Sequence, residues 1–171
     1  MKTLLKAKRF EVVRKAFTRN GQTHEAEAVV HPGAVVILPM LDDDRVILLR
    51  NNRWAIEERL WEVPAGTLDV PGESLEAAAA RELEEEAGYK SAKLEKLCSF
   101  YPSPGFLTEV MHGFVATGLI KTQQELTDTE DIEVAELSFE KALEMAMDGR
   151  IKDGKTIVLL LMYDARRRKS R

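Results

Sequence analysis

Cysteine is almost absent. Cys98 stands alone in 171 residues, so there is no disulfide framework, and its thiol is expected to act as a small buried hydrophobe. Long apolar runs are missing as well: the longest, Ile157 to Met162, is far too short to span a bilayer. The opening MKTLLKAKRF has no apolar segment of the export type, so the expected compartment is the cytoplasm, with no membrane as partner. Nor is there an excess of basic charge, since 25 Lys and Arg face 29 Asp and Glu for a net −4, which disfavours a general nucleic-acid binder. The basic run Arg166 to Arg171 reads as a solvated helix end or a frayed tail. Gly154-Lys155 lacks the glycine-rich lead of a Walker phosphate loop.

Hydrophobic residues make up 44% and charged residues 32%, and there are no repeats or low-complexity tracts, so the chain reads as globular and large enough for a sizeable core. Phe10 to Val13 and Ala26 to Val30 flank Asn20-Gly21, a type I′ turn signal, so residues 1–31 are expected to form a β-hairpin ahead of a main domain at 32–171. A lone two-stranded ribbon is not stable, so it must pack on its own domain or on a second subunit. Ala34 to Leu38 and Val46 to Leu49 read as strands joined by a polar turn at Asp42-Asp43-Asp44. A polar connection, Asn51 to Trp54 and Glu57 to Arg59, leads to a strand over Leu60 to Gly66, and further strands are expected at Leu94 to Phe100, Val110 to Thr117 and Ile132 to Leu137. His112, inside one of them, is expected to be structural. Ser138 caps a helix with Phe139, Ala142, Leu143 and Ala146 inward and Gly149 at its end. A last helix, from about Lys155 to Arg167, places Ile157, Leu160, Leu161 and Asp164 near one face, and Met145, Met147 and Met162 are expected to fill the core. The sum is an α/β layered domain with a mixed sheet.

One stretch departs from this pattern, GTLDVPGESLEAAAARELEEEAGY from Gly66 to Tyr89. Ser74 is a good N-cap, Glu76 suits the first turn, and Gly88 suits the position after the last, which predicts a helix from Leu75 to Ala87. On that helix Leu75, Ala79 and Leu83 form one stripe, with Glu82 and Glu86 in or beside it. Glu85 joins them at the i, i+3 and i+4 spacing that brings side chains together. Burying like charges without a counter-ion costs several kcal/mol, which a hard divalent cation would relieve. Glu84 reads as an ordinary solvated residue.

These residues resemble the Nudix box, G-x5-E-x7-R-E-U-x-E-E-x-G-U with U aliphatic or aromatic. Glu73, seven intervening residues and Arg81-Glu82-Leu83-Glu84-Glu85-Glu86-Ala87-Gly88-Tyr89 match it, while six residues rather than five separate Gly66 from Glu73. The resemblance implies an α/β/α sandwich and hydrolysis of a nucleoside diphosphate linked to another moiety, assisted by Mg²⁺ or Mn²⁺. Glu82, Glu85 and Glu86 would hold the metal, with the Ala65 carbonyl, and Glu73 and Arg81 would orient them from behind.

Outside the box the chain looks like the ADP-ribose pyrophosphatase branch, from about Glu25 onward. Pro104 lies fifteen residues beyond Tyr89, within Ser103-Pro104-Gly105-Phe106, and Glu109 follows. Arg53 matches a diphosphate-side arginine and Glu27 an adenine-side acid, although Glu25 stands where some members have arginine. Glu130 matches a glutamate given the general-base role in some relatives, with Glu109 as its competitor. The implied reaction is ADP-ribose to AMP and ribose 5-phosphate. Another nucleoside diphosphate sugar, GDP-mannose or a UDP-sugar, is the alternative, and a non-catalytic nucleotide-binding regulator stands behind both. The likeness also implies a homodimer whose N-terminal strands cross to the partner and help to form the substrate pocket.

Overall fold

Residues 1–169 are described by a computed structural model; Ser170 and Arg171, the end of the expected basic tail, lie outside the described residues. The site-bearing sheet is built on β4 (Ala34–Pro39), buried along its whole length. It pairs antiparallel with β7 (Ala65–Thr67) and parallel with β9 (Met111–Lys121), which in turn pairs antiparallel with β8 (Tyr89–Phe100), giving the order β7-β4-β9-β8. Because side chains alternate across a strand, β4 serves two cores. Val35 and Ile37 pack with Ala78, Ala79, Leu83 and Ala87 of α1 (Leu75–Ala87). Val36 and Leu38 pack with Phe139, Ala142 and Met145 of α2 (Phe139–Met147) and with Leu159 and Leu160 of α3 (Gly154–Lys169). The expected mixed sheet between helical layers is therefore present.

A second sheet, β10-β5-β6, joins β10 (Ile132–Ser138), β5 (Arg45–Arg53) and β6 (Glu58–Glu62). The strand expected over Leu60 to Gly66 is two strands in different sheets. Pro64 divides them, since it has no N–H for a ladder, while its carbonyl accepts from Ile37 N at 2.9 Å. Asn51 to Arg53 and Glu58-Arg59, expected as a polar connection, are paired strand residues flanking a tight turn.

The N-terminal ribbon has three strands rather than two: β1 (Lys2–Lys6), β2 (Glu11–Arg19) and β3 (Gln22–Val30). Its β2–β3 turn follows the type I′ expectation, with Asn20 and Gly21 at φ 54° and 74°. Other expectations fail at the surface. Met147, the last residue of α2, is exposed, and so are Leu161 and Met162, because the inner face of α3 runs through Lys155, Thr156, Leu159 and Leu160. Cys98 is half-buried, packed on the core beside Gly113. Asp42 does form a polar turn, accepting from the backbone of Asp44 and Arg45.

Candidate active site

Helix α1 is fixed at both ends. Ser74 Oγ accepts from Ala77 N at 3.1 Å, and Gly88, in the left-handed region at φ 70°, returns its N–H to Glu84 O at 2.9 Å. The segment after β9 takes two more of the terminal carbonyls, Glu125 N bonding to Glu85 O at 2.9 Å and Gln124 Nε2 to Glu86 O at 2.7 Å. The acidic loop leading to Glu130 is thereby tied to the helix that carries the glutamates.

Arg81 organises those glutamates. Its Nε and Nη2 bond the two oxygens of Glu73 at 3.0 Å each, and its Nη1 bonds Glu82 Oε1 at 2.6 Å and Glu85 Oε2 at 3.0 Å. The guanidinium beside Glu73 holds that carboxyl below its ordinary range. Glu86 lies deeper, 8% exposed, with Oε2 accepting from Ala65 N at 2.8 Å. Burial pushes its pKa up to about 8 against that hydrogen bond, and burial also raises Glu82. Gly66 lets the Glu82 carboxyl lie against the backbone, since a Cβ there would fall 1.8 Å from the Glu82 carboxyl carbon and push it aside. The extra residue between Gly66 and Glu73 is taken up in the loop before the helix, and this contact is kept.

These groups open onto a cleft of about 640 Å³. Of the expected site residues, Ala65, Arg81, Glu82, Glu85, Glu86, Arg53, Glu109 and Glu130 line it. Glu130 uses its carboxylate to accept from Thr127 N at 2.8 Å, and Glu109 Oε1 lies 3.3 Å from His31 Nδ1. Glu27, Pro104, Gly105 and Phe106 do not line the cleft of their own chain. Glu27 pairs with Arg14, and the Phe106 carbonyl accepts from Val29 N at 2.7 Å, docking that loop on the end of β3. His112 bonds Ser99 across β8 and β9 and stays outside the cleft. Two cations of the cleft were not singled out from the sequence as site residues, Arg9 from the N-terminal ribbon and the buried Lys155 from α3.

The donor set fits a divalent cation, because buried Glu86 beside Glu82 and Glu85 is an excess of oxygen charge that Arg81 offsets in part. Among the described residues no three such side chains already converge on one point, since Glu82 and Glu85 turn to Arg81.

A sequence profile of the NUDIX domain matches residues 30–160. The chain belongs to the Nudix family. This Nudix chain is 41% identical over 139 residues to the ADP-ribose pyrophosphatase of Bacillus subtilis (strain 168), covering 80% of this chain and 75% of that protein. It is 39% identical over 141 residues to the methanol dehydrogenase activator of Bacillus methanolicus, covering 81% and 76%. It is 41% identical over 139 residues to the GDP-mannose pyrophosphatase of Yersinia pestis (strain Pestoides F), covering 75% and 68%. Among solved structures, an ADP compounds hydrolase shares the fold, with a TM-score of 0.85 over 99% of this chain and 92% of that one at 24% identity. Nudix hydrolases generally need divalent metal ions, and among the described residues no helix is long and apolar enough to cross a membrane.

Proposed function

We propose that this Nudix hydrolase cleaves the diphosphate of ADP-ribose, giving AMP and ribose 5-phosphate. The observation that carries the reading is the cleft itself, which Glu82, Glu85 and Glu86 line together with Arg53. The Bacillus subtilis relative, an ADP-ribose pyrophosphatase by name, supports the substrate. Glu82, Glu85 and Glu86, with the Ala65 carbonyl, would hold Mg²⁺, or Mn²⁺ in its place. A bound cation of this kind neutralises diphosphate charge and lowers the pKa of an attacking water. Glu73 holds Arg81, and Arg81 keeps Glu82 and Glu85 from repelling one another before the cation binds. Arg53 binds the diphosphate with a planar fork of N–H donors suited to phosphate oxygens. Glu130 accepts the proton of the attacking water, with Glu109 as the competing base, and both carboxylates line the cleft.

Residues 1–31 serve as an N-terminal unit and 32–171 as the hydrolase domain, in a cytoplasmic C₂ homodimer. The exposed Leu4, Leu5, Phe10 and Phe17 of the ribbon support a dimer contact, and crossing would carry Glu27, and the Pro104-Gly105-Phe106 loop docked on β3, toward the partner's cleft. Light scattering on the full chain and on a chain beginning at His31 tests this; a full-length monomer that turns over substrate ends it.

Steady-state kinetics with Mg²⁺ on ADP-ribose, GDP-mannose and UDP-sugars test the reaction. ADP-ribose is expected to lead by kcat/KM, and a better GDP-mannose rate would favour the second reading, which the Yersinia relative supports. Tight binding of ADP-ribose with no phosphate-ester product would revive the regulator.

A further inference from the structure

Lys155 is 9% exposed, a position in which lysine is almost never found unless paired. Its Nζ lies 2.6 Å from Glu62 Oε2 and 2.9 Å from Asp153 Oδ1. Glu62 is 1% exposed, and the same carboxylate also accepts from Arg53, through Oε1 from Nε at 2.7 Å and through Oε2 from Nη2. One buried carboxylate is thus held by two cations that line the cleft, the half-exposed Arg53 guanidinium and the nearly buried Lys155 ammonium. Asp153 extends the chain of contacts by capping the first turn of α3, with Oδ2 accepting from Thr156 N at 3.0 Å and from Thr156 Oγ1 at 2.6 Å. Thr156 Oγ1 accepts from Val63 N at 2.8 Å, which returns the network to the residue after Glu62.

Groups this deep are tolerated only when their pairing is complete, and removing one partner strands the others. Arg53 gives Glu62 its Nε hydrogen and one on Nη2, so three of the five guanidinium N–H donors remain for the cleft that it lines. Without Lys155, Glu62 would hold Arg53 alone, drawing the guanidinium inward and offsetting its charge in full.

We propose that Lys155 is a positioning residue: by holding the buried Glu62 carboxylate, it fixes the Arg53 guanidinium at the cleft wall, where an anionic diphosphate meets it. The assignment rests on the diphosphate reading above, and it links the first turn of the C-terminal helix to substrate binding.

The test is a double-mutant cycle on ADP-ribose hydrolysis with Lys155→Met and Arg53→Ala. K155M is expected to raise KM about tenfold with kcat changed less than about threefold, and the double variant to be no worse than R53A by more than about twofold. A K155M penalty that recurs undiminished in the R53A background, or a KM within about twofold of wild type, overturns the role. Should K155M not fold, Glu62→Gln keeps the shape and breaks the same link; the same non-additivity with R53A is expected, and additive losses overturn it. A wild type that does not cleave ADP-ribose sinks the substrate reading alone. The cycle is then read from calorimetric Kd values for ADP without metal, where non-additivity supports the role of Lys155 and additivity removes it.

Discussion

Replacing Glu86 by Gln separates what the cleft does from the strain it places on the fold. Glu86 is buried, and Glu82 and Glu130 add like charge to the desolvation that raises its pKa from an ordinary 4.5 to about 8. Between those values the folded chain holds a proton that the unfolded chain has released. Stability from this group is therefore fully present below 4.5 and is lost as the pH rises through 8. At ~1.4 kcal/mol per pH unit the window amounts to about 5 kcal/mol, and movement of the carboxylate toward the open cleft reduces this to about 2–3 kcal/mol. Glutamine keeps the volume and can still accept from Ala65 N, but it carries no charge. With chelator present, Glu86→Gln should melt roughly 5–10 °C above wild type near pH 9 and match it near pH 5. With Mg²⁺ present, the same variant should lose about 10²-fold or more in kcat. Calorimetric melts across that pH range and phosphate-ester release from ADP-ribose read the two effects. A difference in Tm that does not grow with pH would refute the buried-charge reasoning, whatever the kinetics show.

Glu84 pairs with Lys90 at 3.2 Å, so Glu84→Gln should leave kcat within about twofold and stability within ~0.5 kcal/mol; equal losses at Glu84 and Glu86 would contradict the helical phase. Gly66→Ala would force Glu82 aside, and kcat should fall about tenfold or more with an unchanged circular dichroism spectrum; full activity would show that Glu82 has room to move. Thr156→Val keeps the side-chain shape but leaves Val63 N without its acceptor, so the urea midpoint should report a loss of about 1–3 kcal/mol, and a neutral result would mean that the N–H finds another partner.

The box helix, Leu75 to Ala87, was legible because its signals are local: a capping Ser74, a left-handed Gly88 and a glutamate phase that matches the burial of Glu86 and the partial burial of Glu82. β1 was not, because Lys2-Thr3-Leu4-Leu5-Lys6 is exposed at every position and is held by backbone pairing to β2 without an alternating pattern. The division of β6 from β7 turns on Pro64, which a run of apolar residues conceals. Lys155 reads in sequence as a polar residue at a helix start. Its partner Glu62 lies 93 residues away, and no periodicity reports a pair so far apart. Arg9 enters the cleft for a similar reason, through the packing of the ribbon rather than through any motif of its own.

The underside of α1 is made largely of methyl groups. Ala78, Ala79 and Ala87 are buried against the sheet with Leu83 as the one large apolar side chain among the buried residues, so little bulk separates the helix from the sheet. Small side chains at this seam leave room for Glu86 to reach the backbone of Ala65 and for Glu82 to lie against Gly66. The alanines act as a spacer gauge for the carboxylates. A chain with one more carbon on any of them could repack and melt nearly as before, yet carry its acids an ångström or so too high, the scale on which positioned chemistry fails. Drift in this core would then surface first as lost turnover, in a protein that still looks folded by every bulk measure.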